Sequence, residues 1–142
     1  MKTNDSDAEF IVTVTLIVAD IARSVAFYRD VLGAVVLREG EPVFLRLKNI
    51  WMTINRGGGG TDDKPEVIAS PPKDLNTLSL FINLRVADIH HCYELWRSRG
   101  ARFITEPKVH KTEMRCYMRD PDGYLIEVGQ TTFTKTPLEL YR

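Results

Sequence analysis

The stretch LIVADIARSVAFYRDVLG, residues 16–33, has a counterpart in LRVADIHHCYELWRSRG, residues 84–100. The tetrapeptide Val-Ala-Asp-Ile recurs at an offset of 68 residues, and Arg29 and Arg97 match at the same offset. Each copy ends on a glycine, the residue that most readily adopts the left-handed conformation ending a helix. The chain is therefore predicted to contain one structural unit that occurs twice.

Each copy begins with the pattern of a strand followed by a helix. Residues 10–18 and 78–86 are rich in apolar and β-branched residues, which favours strands. Asp20 and Asp88 then stand where a side chain can cap the start of a helix. Apolar residues follow at helical spacing in both copies, so each helix is expected to bury one face.

Three further strands are predicted after each helix, which makes each unit β-α-β-β-β. They fall at residues 34–38, 42–47 and 51–55 in the first unit and at residues 102–105, 114–119 and 124–130 in the second. Module one is thus expected at residues 10–56 and module two at residues 76–131. A flexible glycine- and proline-rich connector at residues 57–75 would join them, and residues 132–142 would form a tail.

Composition and sequence pattern give no support to several classes of protein. The 142 residues carry 19 basic and 19 acidic side chains, so no charge surplus favours nucleic acid. No apolar run reaches the roughly 20 residues of a membrane helix, and the polar first residues do not have the pattern of a signal peptide. Cys92 and Cys116 are too few for a disulfide framework. We interpret them as buried free thiols, which favours a cytoplasmic location.

Two motifs carry a family resemblance, SVAFYRDVLG at residues 24–33 and DPDGYLIE at residues 120–127. Together with the tandem β-α-β-β-β order, they resemble the vicinal-oxygen-chelate superfamily of glyoxalases, ring-cleaving dioxygenases and bleomycin-resistance proteins. The resemblance implies an α+β fold in which the two modules form a curved mixed-sheet cup with helices on the outside. It also implies a homodimer, in which modules pair either within one chain or across the dimer.

Enzymes of this superfamily hold a divalent metal on the cup floor, with ligands from the first and last strand of each module. Those four positions fall on Thr13, Thr53, Phe81 and Glu127 here. A catalytic metal generally needs about three ligands drawn from His, Cys, Asp and Glu. Only Glu127 is of that type, so no cofactor is expected. A divalent metal stays open only as an alternative that recruits another residue.

Strand alternation predicts which other side chains line the cup. Beside the four metal positions, the predicted ligand-binding residues are Thr15, Trp51, Asn83, Arg85, Arg115 and Tyr117. Such aromatic, amide, hydroxyl and guanidinium groups suit a flat, partly anionic organic molecule. Alternatively, Trp51 and Phe81 fill a closed core. The sequence leaves open which way Arg115 and Tyr117 face.

Two residues are candidates for proton transfer. Glu127 lies in an apolar strand, where it either acts as a general base or binds a polar group of the ligand. Alternatively, it is a remnant of the fold held by a threonine hydroxyl or an arginine. His110 lies in a loop from which it could reach the cup mouth, although loop histidines are more often simply exposed. His90 and His91 are adjacent on a helix, point in different directions and form no metal pair.

The sequence is compatible with three functions, given in decreasing order of support. The first is a metal-free protein that binds a small aromatic or polar organic molecule. The second is a glyoxalase-type lyase, isomerase or dioxygenase that uses Glu127, with or without a divalent metal. The third is a non-catalytic interaction module that keeps only the fold.

Overall fold

A computed structural model describes residues 8–142, and it confirms the predicted α+β class. Module one contains β1 (Thr13–Val18), α1 (Ile21–Ala26), β2 (Val35–Arg38), β3 (Val43–Leu47) and β4 (Ile50–Arg56). Module two contains β5 (Ile82–Arg85), α2 (Ile89–Ser98), β6 (Arg102–Phe103), β7 (Lys108–Val109), β8 (Glu113–Arg119) and β9 (Leu125–Thr131). The two modules therefore share the predicted β-α-β-β-β order, to which module two adds the two-residue strand β7.

Both sheets have the same mixed topology. The strand order is β1-β4-β3-β2 in module one and β5-β9-β8-β6 in module two, where β7 also pairs with β8. In each sheet the first strand runs parallel to the last one, and the remaining pairs are antiparallel. The internal similarity of the sequence thus corresponds to a repeated three-dimensional unit.

Both helices begin at the predicted caps. The Asp20 carboxylate accepts from the Arg23 amide at 3.0 Å, and the Asp88 carboxylate accepts from the His91 amide at 3.1 Å. The first helix is not α-helical throughout, because the chain changes at Phe27–Val31 into a wider π-helical turn. Gly33 and Gly100 follow the helical segments with φ of 81° and 99°, as the sequence predicted.

Several strand ends differ from the sequence prediction, and the reason is the length of the partner strand. Pairing of β1 starts at Thr13 opposite Trp51, so residues 10–12 have no partner in that ladder and are exposed. In module two, β5 begins only at Ile82 opposite Ile126. The strand predicted at residues 102–105 ends at Phe103, and β7 forms separately against β8.

The connector is more ordered than its composition suggested. Gly58 and Ala69 form a β-bridge with two backbone hydrogen bonds of 2.9 Å, and a second bridge joins Thr61 to Lys64. A Cβ atom at Gly57 would overlap the Ala69 carbonyl oxygen. A glycine at this position therefore lets the connector fold back on itself.

Alternate residues of the strands build the core against the helices. In module one they include Leu16, Val18, Leu45, Met52 and Ile54, and in module two Cys116, Met118, Ile126 and Val128. Cys116 is buried as expected, but Cys92 is only half-buried, because it lies at the margin of the buried face of α2. No helix in the described part of the chain is long and apolar enough to cross a membrane.

The tight turn between β8 and β9 joins the two modules. Asp122 accepts a hydrogen bond from the Ala19 amide at 2.9 Å and another from the Ser24 hydroxyl at 3.1 Å. The Tyr124 hydroxyl donates to the Ile17 carbonyl at 2.8 Å. The DPDG motif of module two therefore holds the start of the first helix of module one.

Candidate functional site

The face of the second sheet that is turned away from α2 carries a cluster of polar side chains. Gln130 of β9 accepts from the Ile89 amide of α2, so even-numbered β9 residues face that helix and odd-numbered ones face away. We call the polar group on the face turned away from α2 the cup-floor cluster. It consists of Asn83, Arg85, Glu113, Arg115, Tyr117, Glu127 and Thr131.

Strand register arranges this cluster in rows across β5, β9 and β8. Asn83, Glu127 and Tyr117 are directly paired in one row. Arg85 and Arg115 lie in the next row, on either side of Gly129. Side chains in one row of a sheet lie close enough for direct contact. The register therefore brings residues that are far apart in sequence onto one patch.

Glu127 occupies the centre of the cluster and is only 5% exposed. One carboxylate oxygen accepts from the Tyr117 hydroxyl at 2.8 Å, and the other accepts from Arg85 Nη1 at 3.4 Å. Both oxygens are thus engaged by the chain itself. An arginine contacts the carboxylate, as one alternative from the sequence expected, but the hydroxyl that bonds to it belongs to Tyr117 and not to a threonine.

Arg85 links most members of the cluster. Its Nη1 donates to Glu113 at 3.0 Å as well as to Glu127, and its Nη2 donates to the Thr131 hydroxyl at 3.1 Å. A weaker contact of 3.4 Å joins Nη1 to the Asn83 amide oxygen. The Nε atom is buried and has no partner among residues 8–142. One guanidinium therefore serves two carboxylates.

The orientation of Tyr117 and Arg115 is now defined. Tyr117 contacts Glu127 and therefore lies on the cup-floor face. Arg115 lies two residues earlier in β8 and so shares that face, with its Nη1 3.5 Å from Glu113. The Tyr117 ring also packs edge-to-face against Phe81, with ring centroids 6.1 Å apart. Burial, followed by the hydrogen bond to Glu127, raises the pKa of the Tyr117 hydroxyl. The phenol therefore remains protonated at neutral pH.

The candidate residues of module one lie on the corresponding face of the first sheet. Thr13 pairs with Trp51, and Thr15 pairs with Thr53. Trp51 is 41% exposed and Phe81 is 39% exposed. Within a single chain neither aromatic ring fills a closed core, so that alternative is not favoured. Both sheets instead present an open face with polar and aromatic groups.

The histidines lie outside this arrangement. His90 and His91 are exposed on α2, as expected. His110 is also exposed, and its backbone amide donates to the Glu113 carbonyl at 2.8 Å. The loop that carries it is therefore tied to the start of β8. A role for the His110 imidazole at the cup mouth stays a prediction.

Sequence reasoning missed three members of the site, Glu113, Gly129 and Thr131. A signal for them was present, since Gly129 and Thr131 follow Glu127 at the strand period of two. Glu113 likewise precedes Arg115 by two residues. What the sequence did not supply was the alignment of β5, β9 and β8, which makes these residues neighbours.

The donor set does not fit a divalent metal. No group of three or more His, Cys, Asp or Glu side chains suited to holding an ion occurs among residues 8–142. Of the four positions mapped from the superfamily only Glu127 is a carboxylate, and the positive Arg85 guanidinium lies 3.4 Å from it. A cation placed there would meet like charge beside a single strong ligand.

Comparisons with known proteins agree with this architecture. A probable lactoylglutathione lyase of Synechocystis is 29% identical over 134 residues, covering 89% of this chain and 98% of that protein. Among solved structures, the fosfomycin resistance protein FosX from Listeria monocytogenes superposes with a TM-score of 0.64 at 16% identity, covering 94% of this chain and 98% of that one. That structure is a glutamate-to-glutamine variant complexed with Mn(II) and 1S,2S-dihydroxypropylphosphonic acid.

TnmS3, an antibiotic binding protein from Streptomyces, has a TM-score of 0.64 at 19% identity, covering 88% of this chain and 98% of that one. These two structural likenesses are similarities of fold. The family model described as Glyoxalase/Bleomycin resistance protein/Dioxygenase superfamily matches residues 10–128. The chain therefore belongs to the glyoxalase/bleomycin resistance protein/dioxygenase superfamily.

Proposed function

We propose that this protein binds a small, flat organic molecule on the cup-floor cluster without the help of a metal ion. The state of Glu127 carries the proposal. Its two carboxylate oxygens are held by Tyr117 and Arg85 at 2.8 Å and 3.4 Å. A carboxylate engaged in this way is neither a free metal ligand nor a free general base.

The exposed groups around Glu127 define the chemistry of the ligand. Phe81 and Tyr117 offer an aromatic corner on which a ring can pack. The Arg115 side chain is 37% exposed, and within residues 8–142 its guanidinium makes one hydrogen bond, the 3.5 Å contact to Glu113. Its other N–H groups suit a carboxylate or phenolate oxygen. An aromatic molecule with one acidic group fits both features.

A second copy of the chain is proposed to complete the cup. Module one exposes Val35, Phe44 and Trp51 to 49%, 37% and 41% beside its threonines. A cluster of exposed apolar side chains marks an interaction surface. Covering this face with a second copy would exclude water from the ligand and bring two open sheet faces together. We place this homodimer in the cytoplasm, since Cys116 is a buried free thiol.

The relatives are compatible with binding as well as with catalysis. TnmS3 is described as an antibiotic binding protein, whereas the Synechocystis relative is named a probable lyase. The cup-floor cluster favours the first type, because the Glu127 carboxylate is already paired with Tyr117 and Arg85. The exposed aromatic side chains also favour a ligand site over a purely structural module.

A binding screen tests the proposal. Planar aromatic carboxylates and phenols are titrated while tryptophan fluorescence is recorded, and the recovered compound is checked by mass spectrometry. We expect saturable binding of at least one compound that is recovered unchanged. Tyr117→Phe and Phe81→Ala should weaken that binding, whereas Tyr141→Phe should not, since Tyr141 is 62% exposed near the chain end. Conversion of the compound by the wild-type protein would overturn the binding proposal.

An enzymatic role is the second candidate, and the 2.8 Å hydrogen bond between Tyr117 and Glu127 is the observation that favours it. A phenol and a buried carboxylate in contact can pass a proton to a bound substrate. In that case Glu127→Gln would abolish turnover while the protein still bound its substrate. Equal turnover in the wild type and in Glu127→Gln would exclude this candidate.

The dimer has its own test. Sedimentation velocity of the wild type should give a dimer, and Trp51→Ser or Phe44→Ser should shift the protein toward the monomer. Phe133→Ser is the matched control, because Phe133 is 64% exposed and lies on the C-terminal tail, outside the strands of the first sheet. A wild-type protein that stays monomeric at high concentration would contradict the proposed assembly.

A further inference from the structure

The Arg85 guanidinium lies directly against the backbone of Gly129. The two residues are register partners on the parallel strands β5 and β9. A Cβ atom built on Gly129 would overlap Nη1 and Cζ of Arg85 and would come within 3.1 Å of Nη2. Any other residue at this position would therefore force the guanidinium to move. Gly129 makes room for a charge, in the middle of a strand where glycine is otherwise unfavourable.

The space above Gly129 is also where two carboxylates converge. Glu113 and Glu127 lie 3.0 Å and 3.4 Å from Arg85 Nη1. The exposed fractions of the side chains are 16% for Arg85, 22% for Glu113 and 7% for Glu127. Charges this far removed from water are costly unless they are paired. Glu113 also meets Arg115 Nη1 at 3.5 Å, whereas Arg85 is the one cation within salt-bridge distance of Glu127 among residues 8–142. Arg85 is thus the guanidinium that the two carboxylates share.

On the basis of the metal-free function proposed above, we infer that Arg85 is a built-in cation of the cup floor and that Gly129 is the specificity-determining residue that admits it. The guanidinium supplies beside Glu127 the positive charge that a bound metal ion would otherwise bring. Two consequences follow for ligands. A divalent cation is excluded from Glu113 and Glu127, and a ligand is not recognised by chelation.

The same arrangement limits the charge of the ligand. Arg85 is neutralised by two carboxylates, so it does not act as a receptor for a dianion such as a phosphate. Across Gly129, Arg115 remains as the more exposed guanidinium, at 37%. The ligand class is therefore a neutral or singly anionic aromatic compound. Inorganic phosphate is expected not to compete with it.

Titration with Mn²⁺ alone tests this inference, since it needs no knowledge of the organic ligand. Calorimetry is carried out on the wild type, Gly129→Ala and Arg85→Met. Displacing or removing the guanidinium should leave Glu113 and Glu127 as an open carboxylate pair. Carboxylate oxygens completed by water molecules are the type of ligand that a hard divalent ion takes. We expect no saturable Mn²⁺ binding by the wild type. Both variants should bind Mn²⁺ with an association constant at least about tenfold above the upper limit that the wild-type titration sets.

Two controls test whether the Mn²⁺ binding gained by the variants occurs at the Glu113 and Glu127 carboxylates. Adding Glu127→Gln to either variant should abolish the acquired Mn²⁺ binding. Gly59→Ala should behave as the wild type, because a Cβ atom at Gly59 meets nothing within 4 Å. Folded variants that bind Mn²⁺ no better than the wild type would overturn the inference and leave the proposed metal-free function intact. Stoichiometric Mn²⁺ binding by the wild type, lost in Glu127→Gln, would overturn both.

The variants can also lose stability, since they leave Glu127 without a cation and Glu113 with only its 3.5 Å contact to Arg115. Thermal unfolding is therefore measured in parallel. If Gly129→Ala or Arg85→Met does not fold at neutral pH, adding Glu127→Gln should restore folding by removing one of the unpaired charges. Failure of that second substitution to raise the unfolding temperature would contradict the role of Arg85 as the compensating cation.

Discussion

The Tyr28 hydroxyl donates a hydrogen bond of 2.8 Å to the Asp120 carboxylate, and both side chains are fully buried. Tyr28 lies on the helical segment of module one, and Asp120 lies in the turn that precedes β9 of module two. Asp120 also accepts from the amides of Asp122 and Tyr124 at 2.9 Å and 3.0 Å. The pair therefore connects the interface between modules to the strand that carries Glu127.

Replacing Tyr28 by Phe should destabilise the protein by about 1–3 kcal/mol, because the buried Asp120 carboxylate would lose one of its donors. The free energy of unfolding is measured by urea denaturation. Tyr141→Phe serves as the control, since that hydroxyl is on an exposed side chain. Equal stability of Tyr28→Phe and the wild type would contradict a linking role for this hydrogen bond.

Asp120 should give the protein an unusual pH dependence. Burial is the main cause that raises the pKa of this carboxyl in the folded state. Between the ordinary aspartate pKa of about 3.9 and the raised value, the folded state holds more protons than the unfolded state. The contribution of Asp120 to the free energy of unfolding therefore falls as the pH rises through that window, and is most favourable below it.

Comparison with Asp120→Asn isolates this effect. The amide keeps an acceptor for the turn but does not ionise. The stability of the wild type minus that of Asp120→Asn should decrease as the pH is raised from acid toward neutral. A difference that stays constant, or one that grows, would show that ionisation of Asp120 is not opposed by the fold.

The start of α2 should depend on Gln130. Its side-chain oxygen accepts from the Ile89 amide at 2.9 Å, and Ile89 is fully buried. Gln130→Leu should lower the free energy of unfolding by about 0.5–2 kcal/mol, as the loss of a helix cap does. Gln130→Glu retains an acceptor and places negative charge at a helix N-terminus, so it should be tolerated better. A reversed order of these two variants in thermal denaturation would contradict the capping role.

The two cysteines should differ in reactivity. Burial, with a smaller effect of Glu127, raises the pKa of the Cys116 thiol to about 11. Only a thiolate attacks an alkylating reagent, so Cys116 should resist iodoacetamide at mildly alkaline pH while the half-buried Cys92 reacts first. Mass spectrometry of the digested protein measures both sites, with labelling in urea as the control. Faster labelling of Cys116 than of Cys92 would be inconsistent with the burial described here.

Local features of the fold could be predicted because they depend on neighbours in sequence. Asp20 and Asp88 cap their helices as expected, since an N-cap bonds to an amide three residues away. Strand ends were predicted less well. Residues 10–12 have strand-like composition, but their position past the end of the β1–β4 ladder leaves them unpaired within it.

The candidate site was predictable only in part, because its contacts depend on how strands pair and not only on neighbours in sequence. Strand alternation correctly grouped Asn83 with Arg85 on one face. It left the direction of Tyr117 open, because alternation within a strand defines two faces but does not say which one meets the helix. The direction of Tyr117 follows from its position opposite Glu127 in the β8–β9 ladder.

The sequence by itself determined the repeated β-α-β-β-β order, the helix limits set by Asp20 and Asp88, and the absence of metal-binding residue types at Thr13, Thr53 and Phe81. These properties reside in residue types and short spacings. Only the tertiary structure decided that Arg85 lies over Gly129 between two glutamates, and that Tyr28 meets Asp120 from 92 positions away. Such contacts arise from strand register and module packing, which bring together groups whose separation in the chain carries no local signal.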